Sequence, residues 1–289
     1  MNKKSSLQNT VYVWIEITLL ALLYFHGLPA QNFAEPFKLL EGFKFVEGPA
    51  LDTQGNLFFT DIPANLIYQY TPDANLIKYL ENTGGANGLA FDSLGRLVAC
   101  AGGARHVFRL EADESRTILA DAYDSKKLNS PNDLWIDDGG GIYFTDPRYG
   151  RDKNIDQDGM HVYYIAADTR TCTRVIDDLK TPNGIIGTPD NKTLYVVDEG
   201  ERKTWRYRIE SPGTLAEKTL FCDTGVDGLA LTEKEELVIT TEKAVVLCSP
   251  DGQKLHTWSF DINPTNACYS KGVLYITAQD GCIYRINIE

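Results

Sequence analysis

The sequence predicts an all-β fold: a six-bladed β-propeller with four-stranded blades around a central channel. Three observations carry that expectation. A short pattern opening on a polar residue recurs six times, at Glu47-Gly48, Asn87-Gly88, Asn132-Asp133, Asn183-Gly184, Asp227-Gly228 and Asn266-Ala267. Successive openings lie 40, 45, 51, 44 and 39 residues apart, and a period near 40 with strand chemistry marks propeller blades. From about Phe37 onward, strand text alternates with turn text such as Asp137-Asp138-Gly139-Gly140-Gly141, with no linker and no long stretch of helical period.

Each repeat reads as an apolar stretch, a turn and a β-rich run. In chain order these are GPALDTQGNLFFTD, NGLAFDSLGRLVAC, NDLWIDDGGGIYFTD, NGIIGTPDNKTLYVVD, DGLALTEKEELVITT and NACYSKGVLYITA. Residues 31–289 suffice for one large all-β domain. In a propeller the first strand of each blade lines the channel. The six polar openings then form a ring at one channel mouth. An isolated Asn-Gly is usually a turn device, but six in register, two of them carboxylates, point to a ligand site.

Residues 1–30 differ from the rest. Lys3 and Lys4 make a basic start, Val11 to Phe25 is largely apolar apart from Glu16, and Gly27-Leu28-Pro29-Ala30 supplies a cleavage region. This is read as a secretory signal peptide cut after Ala30, with an uncleaved anchor as the alternative. The expected location is therefore periplasmic or secreted, with no stable membrane insertion after cleavage. The formal charge of −12 excludes nucleic acid as a partner, because phosphate binding needs clustered Lys and Arg. Cys100, Cys172, Cys222, Cys248, Cys268 and Cys282 form no CxxC pair or zinc spacing. Most lie in apolar strand text and are expected to be buried free thiols.

The ring itself suggests chemistry. Glu47, Asp227 and Asn183 offer hard oxygen donors, which suit calcium or magnesium, with manganese or zinc possible. Two carboxylates facing each other in a closed channel repel unless a cation lies between them. Two charges leave open positions in such a shell, as a catalytic metal needs. There is no G-x-S-x-G elbow, no Cys–His pairing at a nucleophile spacing and no phosphate-cradling loop leading into a helix. Metal-assisted attack by water is the economical mechanism.

These motifs resemble the gluconolactonase and senescence-marker-protein family of six-bladed propellers. The resemblance runs over nearly the whole mature chain. It is most specific in FVEGPALD around Glu47, NGLAFDSLGRLVAC from Asn87, LNSPNDLWIDDGGGIYFTDPRYG from Leu128, TPNGIIGTPDNKTLYVVD around Asn183 and VDGLAL around Asp227. The LNSPND and FTDPxYG segments are more similar to the bacterial gluconolactonase branch than to the animal one. The resemblance implies one divalent cation held by Glu47, Asn183 and Asp227. It implies a substrate contact at Asn132 and a proton acceptor at Asp227. The implied reaction is the opening of a small-molecule sugar lactone to its aldonic acid, with the metal polarising the carbonyl and Asp227 activating water. Two departures stand out. Ala101 and Gly102 follow Cys100 where the bacterial branch carries an acidic residue and a His, and Val226 replaces a frequent Pro before the Asp-Gly pair.

Other residues admit two readings. Asp133 could touch the ring or brace its own turn. Arg148 and Tyr149, in the TDPRYG loop, form either a lip that contacts substrate or a solvated loop. His161 could reach substrate or simply open a strand. Asn87 and Asn266 complete the ring as holders of water or ligand, Trp135 and Tyr143 read as blade core, and Asp61 and Asp198 as turn braces. A broader lactonase, an organophosphate esterase or a non-catalytic binding propeller would fit the same scaffold. The chain could be a monomer or a dimer.

Overall fold

A computed structural model describes residues 33–149 and 155–288. The expected signal segment at 1–30 lies outside the described residues. Among the described residues the only helical element is a 3-10 turn at Ile62–Ala64, and no helix is long and apolar enough to cross a membrane. Six four-stranded antiparallel sheets make up the rest, apart from a small hairpin pairing Ala122–Tyr123 with Lys126–Lys127.

Blade 1 contains Val46–Leu51, Leu57–Asp61, Leu66–Tyr70 and Leu76–Glu81, and blade 2 contains Ala86–Phe91, Leu97–Ala101, His106–Leu110 and Arg116–Ala120. Blade 3 is built from Leu134–Ile136, Ile142–Asp146, His161–Ile165 and Cys172–Ile176. Blade 4 follows with Pro182–Gly187, Thr193–Asp198, Lys203–Ser211 and Thr214–Cys222, then blade 5 with Leu229–Leu231, Leu237–Thr241, Ala244–Cys248 and Lys254–Ser259. Blade 6 supplies Pro264–Ser270, Val273–Ala278 and Ile283–Asn287 from the C-terminal end. Its fourth, outermost strand is Phe37–Leu40, paired with Phe37 opposite Arg285.

That pairing closes the ring without a covalent link. The first strands touch in succession, and the first strand of blade 6 returns to that of blade 1. The Thr265 hydroxyl donates to the Val46 carbonyl at 2.7 Å across this last seam. The indole of Trp258 donates to the Ala34 carbonyl at 3.0 Å, and Phe33 stacks on His256, so residues just before the closing strand are also held.

The hydrophobic core is divided into six clusters, one between each pair of neighbouring blades. This explains why the second strands read as unbroken apolar runs. In Leu97–Ala101, Val98 and Cys100 pack toward blade 3 while Leu97, Ala99 and Ala101 pack toward blade 1. Both faces of the strand are buried, so polar alternation disappears. All six cysteines are free; Cys100, Cys248 and Cys282 are buried and the other three half-buried. Tyr143 is fully buried, and Trp135 stacks on it with ring centroids 5.6 Å apart.

The glycine of each opening pair has a packing reason. A Cβ on Gly48 would lie 2.0 Å from the Asn87 carbonyl oxygen, one on Gly184 2.3 Å from that of Asp227, and one on Gly228 2.0 Å from the Asn266 side-chain oxygen. Each glycine is where one inner strand meets the opening residue of the next blade. Neighbouring strands are tied there: Gly88 N–H donates to Asn132 O at 2.8 Å, and Gly184 N–H to Asp227 O at 2.9 Å.

Candidate active site

The site is assembled from two kinds of position. The first is the polar opening of each inner strand. In blades 1, 2, 4 and 6 the pairing register shifts at that point, between Glu47 and Ala50, Ala86 and Leu89, Pro182 and Ile185, and Pro264 and Ala267. Such irregularities re-aim a side chain out of the pleat. Here they turn Glu47, Asn87 and Asn183 into the channel, where Asn132 and Asp227 join them around a cavity of about 350 Å³.

The second kind of position is the residue just after each blade's second strand. Ile62, Gly102, Glu199 and Gln279, from blades 1, 2, 4 and 6, line the same cavity one step nearer its mouth. In blades 1, 3 and 4 the second strand ends on a carboxylate that accepts two backbone amides from the segment before the blade, which fixes the backbone of Ile62 and Glu199 among these positions. Asp61 accepts the Lys44 and Phe45 amides at 3.1 and 3.3 Å. Asp146 accepts those of Asn129 and Ser130, both at 2.7 Å. Asp198 accepts those of Lys180 and Thr181 at 3.1 and 2.9 Å. Asp61 and Asp198 thus act as the braces expected of them.

The electrostatics of the inner ring are set by burial. Glu47 is 3% exposed. Desolvation pushes its carboxyl up to about 8; the Gly48 N–H and the Asn266 amide pull against this, and the Asp133 charge adds to it. Asp227 is held well above the usual carboxylate range, first by desolvation, then by the charges of Glu47 and Glu199, against a hydrogen bond from Asn183. The Asn183 amide also donates to the Val226 carbonyl at 3.4 Å. The backbone beneath Asp227 is fixed, because the Thr240 hydroxyl accepts the Gly228 N–H at 2.7 Å and donates to the Thr265 carbonyl at 3.0 Å. The Asn87 side-chain oxygen is buried with no hydrogen-bond partner. An orphaned acceptor among carboxylates is a cost unless something donates to it or coordinates it.

The floor of the cavity lies one residue deeper. Asp133 stands where blades 1, 2, 4 and 5 carry glycine, and its carboxylate accepts the Asn266 amide at 3.2 Å across the channel from the opposite blade. Burial raises Asp133 to about 6. Asp133 and Asn266 face a second cavity of about 280 Å³ at the far end of the channel, whose other walls are largely apolar. The two cavities share no lining residue.

The sequence-predicted residues therefore separate. Glu47, Asn132, Asn183, Asp227 and Tyr149 come together on one cavity. Asp133 does touch the ring region, but from below, as part of the floor. Arg148 turns to the Asn129 carbonyl at 3.1 Å and is not in the cavity wall. His161 opens the third strand of blade 3, 5% exposed, with Nε2 2.9 Å from Asp158 and 3.3 Å from Arg174. It lies two strands out from the channel, so the strand-opening reading is the one the geometry matches. Asn266, expected in the ring at the mouth, is in the floor instead. Glu199 and Gln279 were not anticipated. Their only sequence signal is position, directly after a strand end, which for Glu199 is Asp198. Among the described residues no group of three or more His, Cys, Asp or Glu side chains is placed to hold a metal. The donors in the inner ring are the carboxylates of Glu47 and Asp227 and neighbouring amides, with the Glu199 carboxylate farther out.

Comparison with known proteins agrees with this geometry. Residues 45–280 match the family model described as the SMP-30/Gluconolactonase/LRE-like region. A gluconolactonase from Zymomonas mobilis is 29% identical over 277 residues, covering 82% of this chain and 77% of that protein. Staphylococcus aureus lactonases drp35 reach 29% identity over 176 residues, and the match spans about half of their length. Among solved structures, a Xanthomonas campestris gluconolactonase superposes with a TM-score of 0.83 at 28% identity, covering 89% of this chain and 90% of that one. A calcium-binding regucalcin from Agrobacterium tumefaciens gives a TM-score of 0.74 at 19% identity over 89% and 94%, a likeness of fold. With more than half its length matched, the chain belongs to the SMP-30/gluconolactonase/LRE-like family.

Proposed function

We propose that this protein is a divalent-cation-dependent hydrolase that opens a gluconolactone-like sugar lactone to the aldonic acid. The observation that carries the reading is the convergence of Glu47, Asn183, Asp227 and Asn132 on one cavity, with the Glu47 charge adding to the burial that raises the proton affinity of Asp227. The lactone-hydrolysing names of its relatives support it.

The donor set fits a hard cation. Two carboxylates that repel each other, beside amide oxygens, suit an oxygen-seeking ion, and calcium is our first choice before magnesium, manganese or zinc. Glu47, Asn183 and Asp227 would hold it, and when bound it would supply Lewis-acid polarisation of the lactone carbonyl. The rest falls to the protein. The Asn132 amide orients the ring, and Tyr149 covers it from the loop after blade 3's second strand. The Asp227 carboxylate takes a proton from water as the water oxygen bonds to the carbonyl carbon. The ring C–O bond then breaks, and the leaving alkoxide takes that proton back from Asp227. A carboxylate with raised proton affinity is a better base near neutral pH. On the same reading the chain is exported and loses its first 30 residues.

The test is acid release from D-glucono-1,5-lactone by the chain from Gln31, at mildly acidic pH where spontaneous opening is slow. Chelated protein is compared with protein given Ca²⁺, Mg²⁺, Mn²⁺ or Zn²⁺ one at a time. Turnover that vanishes on chelation and returns with one ion is expected. Folded, ion-loaded protein that leaves a panel of lactones untouched would sink the reading.

A further inference from the structure

The outer positions of the cavity are unequal. Its blade 2 side is bare: Gly85, Gly102 and Gly103 line it and present no side chain. A Cβ on Gly103 would lie 2.9 Å from the Gly84 carbonyl, and one on Gly102 2.7 Å from the Ser130 hydroxyl, so this side is packed tight as glycine. The blade 4 side carries Glu199, the only carboxylate among the described outer lining residues. Tyr149 reaches over from blade 3, and its hydroxyl donates to one Glu199 oxygen at 2.6 Å. The mount beneath is rigid. The Glu199 amide donates to the Thr181 carbonyl at 2.9 Å, its own carbonyl accepts from Arg202 at 3.1 Å, and the adjacent Asp198 is pinned by two amides.

We propose that Glu199, held by Tyr149, is the residue that selects hydroxylated lactones, by accepting hydrogen bonds from ring hydroxyls turned toward blade 4. This rests on the lactonase reading and names the substrate feature that the same site recognises. A carboxylate is an acceptor only, with about four lone-pair sites. Tyr149 occupies one, which leaves the others for hydroxyl donors. Adjacent hydroxyls of a polyhydroxylated ring can donate to the two oxygens together, and charge-assisted bonds of this kind are stronger than neutral ones. The outer glycine positions of blade 2 offer no side-chain acceptor and take the bare edge of the ring. Glu199 is a positioning residue: it orients the ring and does not touch the reacting bond.

The experiment measures kcat and KM for D-glucono-1,5-lactone and for unsubstituted δ-valerolactone, on cation-loaded wild type, Glu199→Ala, Glu199→Gln and Tyr149→Phe. The reading is the ratio of kcat/KM for the hydroxylated over the unsubstituted lactone. Glu199→Ala should lower that ratio about 10- to 100-fold, the loss falling mainly on KM for gluconolactone. Glu199→Gln, which keeps one acceptor oxygen, should recover part of it, and Tyr149→Phe should lower it less than Glu199→Ala. An unchanged ratio in an active wild type and its variants would overturn this proposal alone. An equal fall for both lactones would also overturn it, placing Glu199 at the reacting centre. A wild type silent on both lactones would overturn the lactonase reading and this proposal with it.

Discussion

The cost of burying the Glu47 charge can be measured directly by replacing Glu47 with Gln in protein stripped of cations. Glu47 is 3% exposed and its carboxyl is raised from 4.5 to about 8. The native state therefore binds this proton more tightly than the unfolded chain does. Between pH 4.5 and 8, unfolding releases it, so stability is greatest below pH 4.5 and is lost as pH rises toward 8. At pH 7 the penalty from this one group is about 3 kcal/mol. Asp133 and Asp227, both raised by burial, act in the same direction. Gln keeps an oxygen for the Gly48 N–H, which Glu47 accepts at 3.0 Å, and removes the charge. Chelated Glu47→Gln should therefore melt roughly 6–12 °C above chelated wild type at pH 7–8, and near it at pH 4.5. Thermal melts in chelator across that range, followed by circular dichroism, provide the assay. Adding the working cation should raise the wild type at pH 8 and leave the variant little changed. A chelated wild type that melts at the same temperature at pH 5 and pH 8, with a variant no more stable, would refute the reasoning.

Further expectations follow from single features. Asp227→Asn should lose about 10²- to 10⁴-fold in kcat for gluconolactone with an unchanged far-ultraviolet spectrum, as expected for removal of a general base. Gly184→Ala would place a methyl 2.3 Å from the Asp227 carbonyl oxygen; denaturant titration should show a loss of about 1–3 kcal/mol, with activity falling further as Asp227 shifts. A chain starting at residue 41 lacks the strand that closes blade 6. It should lose about 3 kcal/mol of ladder bonding and melt roughly 6–12 °C lower.

The repeat made the blades legible, because strand chemistry at a fixed period implies one unit used six times. The same repetition exposed Glu47, Asn183 and Asp227, since a polar residue at one register position of every unit has no core to fill. Less was legible where the repeat does not operate. Phe37–Leu40 is four residues long, and its partner Ile283–Asn287 lies at the other end of the chain; local text carries no sign of such a distant pairing. Glu199 occurs once, in a turn, and is meaningful only because Asp198 fixes its backbone at the channel mouth. Asn266 reads like the other openings, yet its amide crosses to Asp133, a position where four other blades have glycine. His161 follows the loop after Tyr149 in sequence, but it opens a third strand, one hairpin removed from the axis. Arg148 and Tyr149 are neighbours whose side chains part, one to the Asn129 carbonyl and one to Glu199.

Asn266 and Asp133 bond across the propeller axis between two cavities that share no lining residue, so the upper cavity is a chamber of its own rather than part of one conduit. Reactant and product must use the same doorway, so a product that lingers bars the next arrival. The walls bear on that traffic. A lactone enters neutral and its hydroxy acid leaves as an anion, past Glu199 at the rim. Like-charge repulsion favours departure over return. A single-door vessel with an acidic rim would thus clear itself, and its forward traffic should be faster at low ionic strength than at high.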